Sequence, residues 1–138
     1  MKLLSAILPF CLVFIFNSNC FTQTFGNETK VTASDATSFD YFGITAAIGG
    51  EVLIVGAQGS DAVGSGSGSA YVYRVNGSNW IEEQKLIASD AAAQDLFGSS
   101  VAISGQIIVV GAPKNDDAGN NSGSAYVYRY NGTSWIEE

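Results

Sequence analysis

Histidine is absent from this chain of 138 residues. Its absence excludes Ser-His-Asp and Cys-His catalysis and every His-ligated metal site. A two-carboxylate mechanism stays chemically open, because Asp and Glu are present. Cysteine is scarce. The only two, Cys11 and Cys20, lie in or beside an apolar leader, so the rest of the chain has no disulfide and no thiolate chemistry. Basic residues are few, with 6 Lys and Arg against 13 Asp and Glu and a net charge of −7. Lys30, Arg74, Lys85, Lys114 and Arg129 are scattered along the sequence, and a phosphate-binding surface needs them clustered, so nucleic acid is not a partner. The negative charge serves solubility. Charged residues make up only 14% of the chain while 46% is hydrophobic, which excludes a disordered tail. Sixteen Gly beside that apolar content suit short strands joined by glycine turns.

Met1-Lys2 followed by the apolar stretch Leu3–Phe16 reads as a secretory signal. The stretch is too short for a transmembrane helix of about 20 residues. Ser18 and Cys20 stand at −3 and −1 of a cut after Cys20, and a cut a residue or two later is equally defensible. A lipidated Cys20 is the lesser reading, since Asn17-Ser18-Asn19 lacks the apolar and small residues of such a site. The division that follows is signal peptide 1–22, linker 23–28, first repeat 29–83 and second repeat 84–138. The expected location is secreted, extracellular or cell-surface, with no membrane span once the signal is removed.

The two repeats align without a gap. Asp40-Tyr41-Phe42-Gly43 returns as Asp95-Leu96-Phe97-Gly98, and Phe97 follows Phe42 by 55 residues. Gly56-Ala57 returns as Gly111-Ala112, Ala70–Arg74 as Ala125–Arg129, and Trp80-Ile81-Glu82-Glu83 as Trp135–Glu138. More than half of the aligned positions are identical. A fixed period of this kind marks a repeat architecture, in which one unit cannot bury its apolar surface alone.

Each repeat predicts four strands. In the second they are Phe97–Ile103, Gln106–Ala112, Gly123–Tyr130 and Trp135 onward; in the first the fourth is complete as Trp80–Ala88. Gly49-Gly50 and Ser104-Gly105 predict tight turns between strands one and two, and Asn76-Gly77 and Asn131-Gly132 predict hairpins between strands three and four. The second strand, with Ile107-Ile108-Val109-Val110, is apolar at successive positions and must be covered on both faces. Stacked four-stranded antiparallel sheets do this, so the expected class is all-β, built of β-propeller blades.

Phe97-Gly98, Val101-Ala102-Ile103, Val110-Gly111-Ala112-Pro113, Gly123 and Tyr126-Val127-Tyr128 together resemble the FG-GAP repeat, which builds the seven-bladed propeller of integrin α subunits. The resemblance covers about Thr29–Glu138 and implies two blades of a larger, seven-bladed propeller. Its structural motif falls on Phe42, Gly43, Gly56, Ala57, Phe97, Gly98, Gly111, Ala112 and Pro113, with Trp80 and Trp135 in the fourth strands. The first repeat departs at Gln58, where the motif has Pro. Many FG-GAP repeats carry a calcium loop between the first two strands; here only Ser104-Gly105-Gln106 links Ile103 to Ile107. The resemblance therefore implies the fold and not the calcium, and no cofactor is expected.

Asn115–Asn121 is the richest oxygen cluster, and Asp116 and Asp117 are weak candidates for a metal. The matching stretch of the first repeat holds one acid, Asp61, which favours a polar surface loop. Asp35, Asp40, Asp90 and Asp95 recur in register beside each Phe-Gly turn and are expected to hold turn amides. Trp80 and Trp135 are expected to pack across the hairpin on the Tyr-rich strand. The Gly64–Gly68 run opens no helix and reads as a loop rather than a phosphate cradle. Asn27, Asn76, Asn120 and Asn131 each begin a glycosylation sequon.

The function these readings support is a non-catalytic extracellular or cell-surface binding and adhesion module. Its ligand, a protein or a carbohydrate, would meet the Gly59–Gly68 and Lys114–Gly123 loops. One alternative is the propeller domain of a larger secreted enzyme with its catalytic part beyond Glu138. Another is a structural repeat protein assembled from several chains. The second repeat stops inside its fourth strand, so the chain is expected to be a piece of a longer protein that pairs through its open faces, with further blades or with itself.

Overall fold

The computed structural model describes residues 28–138, so the signal 1–22 and most of the linker 23–28 lie outside the described residues. Four strands form in each repeat. Blade 1 holds β1 (Thr45–Gly49), β2 (Val52–Ala57), β3 (Ser69–Asn76) and β4 (Asn79–Leu86). Blade 2 holds β5 (Ser100–Ser104), β6 (Ile107–Ala112), β7 (Ser124–Tyr130) and β8 (Trp135–Glu137). Each blade is an antiparallel sheet in sequence order, and the described residues contain no helix.

Glycine sets the first hairpin of each blade. Gly49 pairs with Val52 and Ser104 with Ile107, leaving two-residue turns that begin at Gly50 (φ 60°) and Gly105 (φ 56°). A positive φ at the first central position of such a turn is the glycine-led type that matches strand twist. The strands themselves are rich in Val, Ile and Tyr, which pack well on a pleated surface.

The successive apolar positions of β2 are covered on both sides. Val52 and Ile54, with Ala70 and Val72 of β3, face blade 2 and meet Phe97, Ile108, Val110, Tyr126 and Tyr128 in one core. Leu53, Val55, Ala57, Tyr71 and Tyr73 face the other way, under Val31, Ala33 and Phe42. Each fully buried aliphatic side chain of this set contributes about 1.5–3 kcal/mol. β1 and β5 lie side by side, and a Cβ on Gly49 would stand 3.1 Å from Cγ2 of Ile103.

Two expected boundaries differ. β5 begins at Ser100, because Leu96 (φ 58°) and Gly98 (φ 87°) turn the Phe97-Gly98-Ser99 segment out of the sheet. Phe97 bridges instead to Gly68 of blade 1, in parallel. β4 ends at Leu86 and its register shifts beside Val72 and Tyr73, after which Ala88 enters the interblade core.

Candidate ligand groove at the loop rim

The Phe-Gly turns and the β2–β3 loop lie at one end of the blades. Asp40 fixes the first turn: its carboxylate accepts from Thr37 N at 2.7 Å and from Thr37 Oγ1 at 2.8 Å, and its carbonyl accepts from Gly59 N at 3.0 Å. A Cβ on Gly59 would lie 2.1 Å from the Phe39 carbonyl oxygen and 2.7 Å from Tyr41 Cδ2, so only glycine lets the loop pass beneath. Held this way, Phe39 (φ 70°) and Tyr41 (φ 54°) occupy the left-handed region. Bulky residues avoid it at a cost of about 1–2 kcal/mol each. The result is two aromatic side chains standing out from the surface, 78% and 58% exposed.

These side chains line a groove of about 320 Å³ with Asp61, Ser65, Gln94 and Leu96. Asp61 Oδ1 accepts from Gly66 N at 2.7 Å, and Gln94 Nε2 donates to the Ser65 carbonyl at 2.9 Å. Phe39 and Tyr41 thus share the groove with polar groups of the β2–β3 loop of blade 1 and of the turn that holds Gln94. Sequence reasoning missed Phe39 and Tyr41. The available signal was that this otherwise repeated stretch carries aromatics in the first copy and Gln94 and Leu96 in the second.

The recurring carboxylates are engaged in holding the blades. Asp40 and Asp95 accept from turn amides as expected, Asp95 from Ala92 N at 2.8 Å. Asp35 and Asp90 do something else: each takes a tyrosine hydroxyl at 2.7 Å, from Tyr71 and Tyr126. Lys85 Nζ adds an ion pair to Asp35 at 2.6 Å. That hydrogen bond, and then the one from Tyr71, holds the Asp35 carboxyl below its usual range. Asp90 is likewise held low, first by Tyr126. Asp117 is pushed up, first by Asp90 beside it.

The oxygens of the Asn115–Asn121 loop close the loop itself. Asp116 Oδ1 accepts from Asn121 N, as its counterpart Asp61 does from Gly66 N. Buried Asn115 accepts from Ser124 Oγ and Asp117 N and donates to Tyr126 Oη. Among the described residues no group of three or more Cys, Asp and Glu is placed to hold a metal ion. Thermal melts in excess Ca²⁺ and in chelator are therefore expected to coincide; an upward shift with Ca²⁺ would show that Asp116 and Asp117 bind it.

Of the motif residues, Gly56, Phe97 and Gly98 lie at the joint between the blades, while Phe42 and Gly43 take the matching place on the outer face of blade 1. Phe97 sits edge-on to Tyr126 and Tyr128, with ring centroids at 5.4 and 6.2 Å; Phe42 sits the same way on Tyr71 and Tyr73, at 5.6 and 6.2 Å. Trp135 pairs with Tyr130 across the hairpin at 5.2 Å, and Trp80 pairs with Val75. Gly56 and Gly98 meet backbone to backbone, and Ala57 and Ala112 are buried behind them. Gly43 and Gly111 occupy the matching places in each blade, and Pro113 borders Gly123.

The family model of the FG-GAP repeat matches residues 25–73 and 80–128. The chain belongs to the FG-GAP repeat family. No curated protein is significantly similar in sequence. The FG-GAP units are out of phase with the blades: the second begins in β4 of blade 1 and ends in β7 of blade 2. FG-GAP repeats form propeller-type binding modules in general and occur in extracellular proteins. No helix among the described residues is long and apolar enough to cross a membrane.

Proposed function

We propose that this FG-GAP chain is a non-catalytic extracellular or cell-surface binding module, exported by the 1–22 signal, that takes its ligand at the Phe39–Tyr41 rim. The observation that carries the reading is the pair of exposed aromatics on left-handed backbone. The left-handed turn recurs at Gln94 and Leu96 and belongs to the repeat; what the first copy adds is two exposed aromatic side chains lining the groove. Aromatic rings supply a rigid apolar platform, and Asp61, Ser65 and Gln94 supply hydrogen bonds, a combination that suits a protein loop or a saccharide. Adhesion is the biological use this chemistry favours.

The test is an array of glycans and extracellular-matrix proteins probed with the chain and with Phe39→Ala/Tyr41→Ala. Both positions are exposed, so the fold is retained. Binding to at least one arrayed ligand and a loss of tenfold or more in the double variant are expected, since stacked aromatics dominate such contacts. Equal binding by the two proteins, or no binding across the array, sinks the proposal.

A further inference from the structure

Blade 2 carries an open counterpart of a seat that blade 1 has filled. Between the blades, Phe97-Gly98 enters a seat made by Gly56, Ser67, Gly68 and Ser69. Gln94 N, Leu96 N and Phe97 N donate to the carbonyls of Ser65, Gly66 and Ser67 at 2.8, 3.1 and 3.0 Å. The backbones touch: a Cβ on Gly68 would lie 2.0 Å from the Phe97 carbonyl oxygen, and one on Gly56 would lie 1.9 Å from that of Gly98. The seat is fully enclosed, with Ser67, Ser69, Ala70 and Val72 at zero exposure.

Every part recurs in the second repeat, uncovered. Gly111, Ser122, Gly123 and Ser124 line a groove of about 540 Å³. Ser122 and Ala125 are exposed where Ser67 and Ala70 are buried. The carbonyls of Asn120, Asn121 and Ser122 accept no backbone hydrogen bond among the described residues. At the other end of the molecule stands a free counterpart of the inserted segment. Phe39, Tyr41 and Phe42 have no partner for their amides among the described residues, and Gly43 has nothing within 4 Å of a Cβ. Ile44 and Ile48 beside it are exposed.

We propose that a second copy of this chain fills the open seat, its Phe42-Gly43 segment entering between Gly111 and Gly123 in a head-to-tail joint. The joint already formed within the chain names the occupant. Its Gly-Ser-Gly-Ser seat and Phe-Gly insert are repeated residue for residue on the two open faces. Val31 and Ala33 on the head face do not block it, because their counterparts Leu86 and Ala88 lie inside the formed joint. Phe39 takes the place of Gln94 and meets Asn120-Asn121 instead of Ser65-Gly66. Gln94 stays exposed in the formed joint while Leu96, the counterpart of Tyr41, is half-buried there, so Phe39 remains reachable after assembly. A head-to-tail joint builds a ring or an open filament.

Cross-linking tests the register. A Cβ on Gly49 would lie 3.8 Å from Cβ of Ile103, inside the range of about 3.5–4.5 Å that a disulfide spans. The equivalent pair across copies is Ser104 and Ile48, both exposed. With Cys11 and Cys20 replaced by Ser, the chain carrying Ile48→Cys and Ser104→Cys is expected to give a ladder of covalent multimers on oxidation. Each single-Cys chain is expected to stay monomeric. A monomer from the double variant, or dimers from either single one, overturns the joint. Sedimentation of Ile44→Glu and Ala125→Glu, both at exposed positions, is the second measurement. Each alone is expected to run as a single chain, while their equimolar mixture gives a complex of two chains and nothing larger. Variants that still self-associate, or a mixture that stays monomeric, refute the proposal.

Discussion

Raising the pH past about 10 is expected to unfold the chain cooperatively. Four tyrosines carry this. Tyr71, Tyr73, Tyr126 and Tyr128 are buried, and each hydroxyl donates to a carboxylate or a backbone carbonyl. Burial first, and neighbouring carboxylates second, push all four above the ordinary value of 10.0. Below pH 10 the groups are protonated whether the chain is folded or not, and their stabilisation is fully present. Above it the unfolded chain releases protons that the folded chain retains, so stability falls as the pH rises towards the folded values. Each group that stays protonated in the fold removes about 1.4 kcal/mol per pH unit, so Tyr73, Tyr126 and Tyr128 together remove roughly 4 kcal/mol per unit, and Tyr71 adds to the loss. The lower half of a net stability of roughly 5–15 kcal/mol is lost within about one to two and a half units. Tyrosinate absorbance and circular dichroism should change together. Ionisation of all tyrosines near pH 10 with the sheet signal intact would show that these hydroxyls are not held as described.

The largest single-residue effect is expected at Gly98. Valine there meets two obstacles: a left-handed backbone (φ 87°) and the Ser69 carbonyl oxygen, 2.2 Å from its Cβ. The obstructing atom is backbone of the neighbouring blade and cannot swing aside. Gly43 is the internal control. It has the same backbone (φ 90°) but no atom within 4 Å of a Cβ. Gly43→Val should cost about 1–2 kcal/mol for the backbone alone. Gly98→Val should add about 1–3 kcal/mol of overpacking to that. Denaturation midpoints, compared at one low protein concentration, decide the matter. Equal losses at the two positions would place the whole cost in the backbone and remove the interblade contact from the account.

What could be read from the residues was what local chemistry controls. The doubly apolar β2 and β6, the glycine-led hairpins and the cross-strand place of Trp135 all follow from propensity and period. The misreadings share one cause, a partner far away in sequence. Phe97-Gly98-Ser99 has strand composition, yet its backbone pairs with Gly68 of the preceding blade, and Leu96 and Gly98 lie in the left-handed region as Tyr41 and Gly43 do in the first turn. Asp35 and Asp90 look like turn formers, yet a tyrosine 36 residues on claims each carboxylate. The groove was hidden for the same reason, since it forms only where two Phe-Gly turns and one loop converge, and nothing within Ser38–Tyr41 announces a left-handed Phe39.

Glu82 and Glu137 give the fold a timetable. Each sits on the last strand of its blade and grips the segment that leads into the first strand, accepting from the amide and hydroxyl of Ser34 and of Ser89 respectively. Clasp and clasped residue are 48 positions apart. At a synthesis rate of about 5–20 residues per second, the leading segment waits roughly 2–10 s for its clasp to be made. The third strands end at Asn76 and Tyr130, only 6 and 7 residues before Glu82 and Glu137, so each clasp follows its third strand within roughly 0.3–1.4 s of synthesis. The leading segment is thus the first part of a blade to be made and the last to be latched.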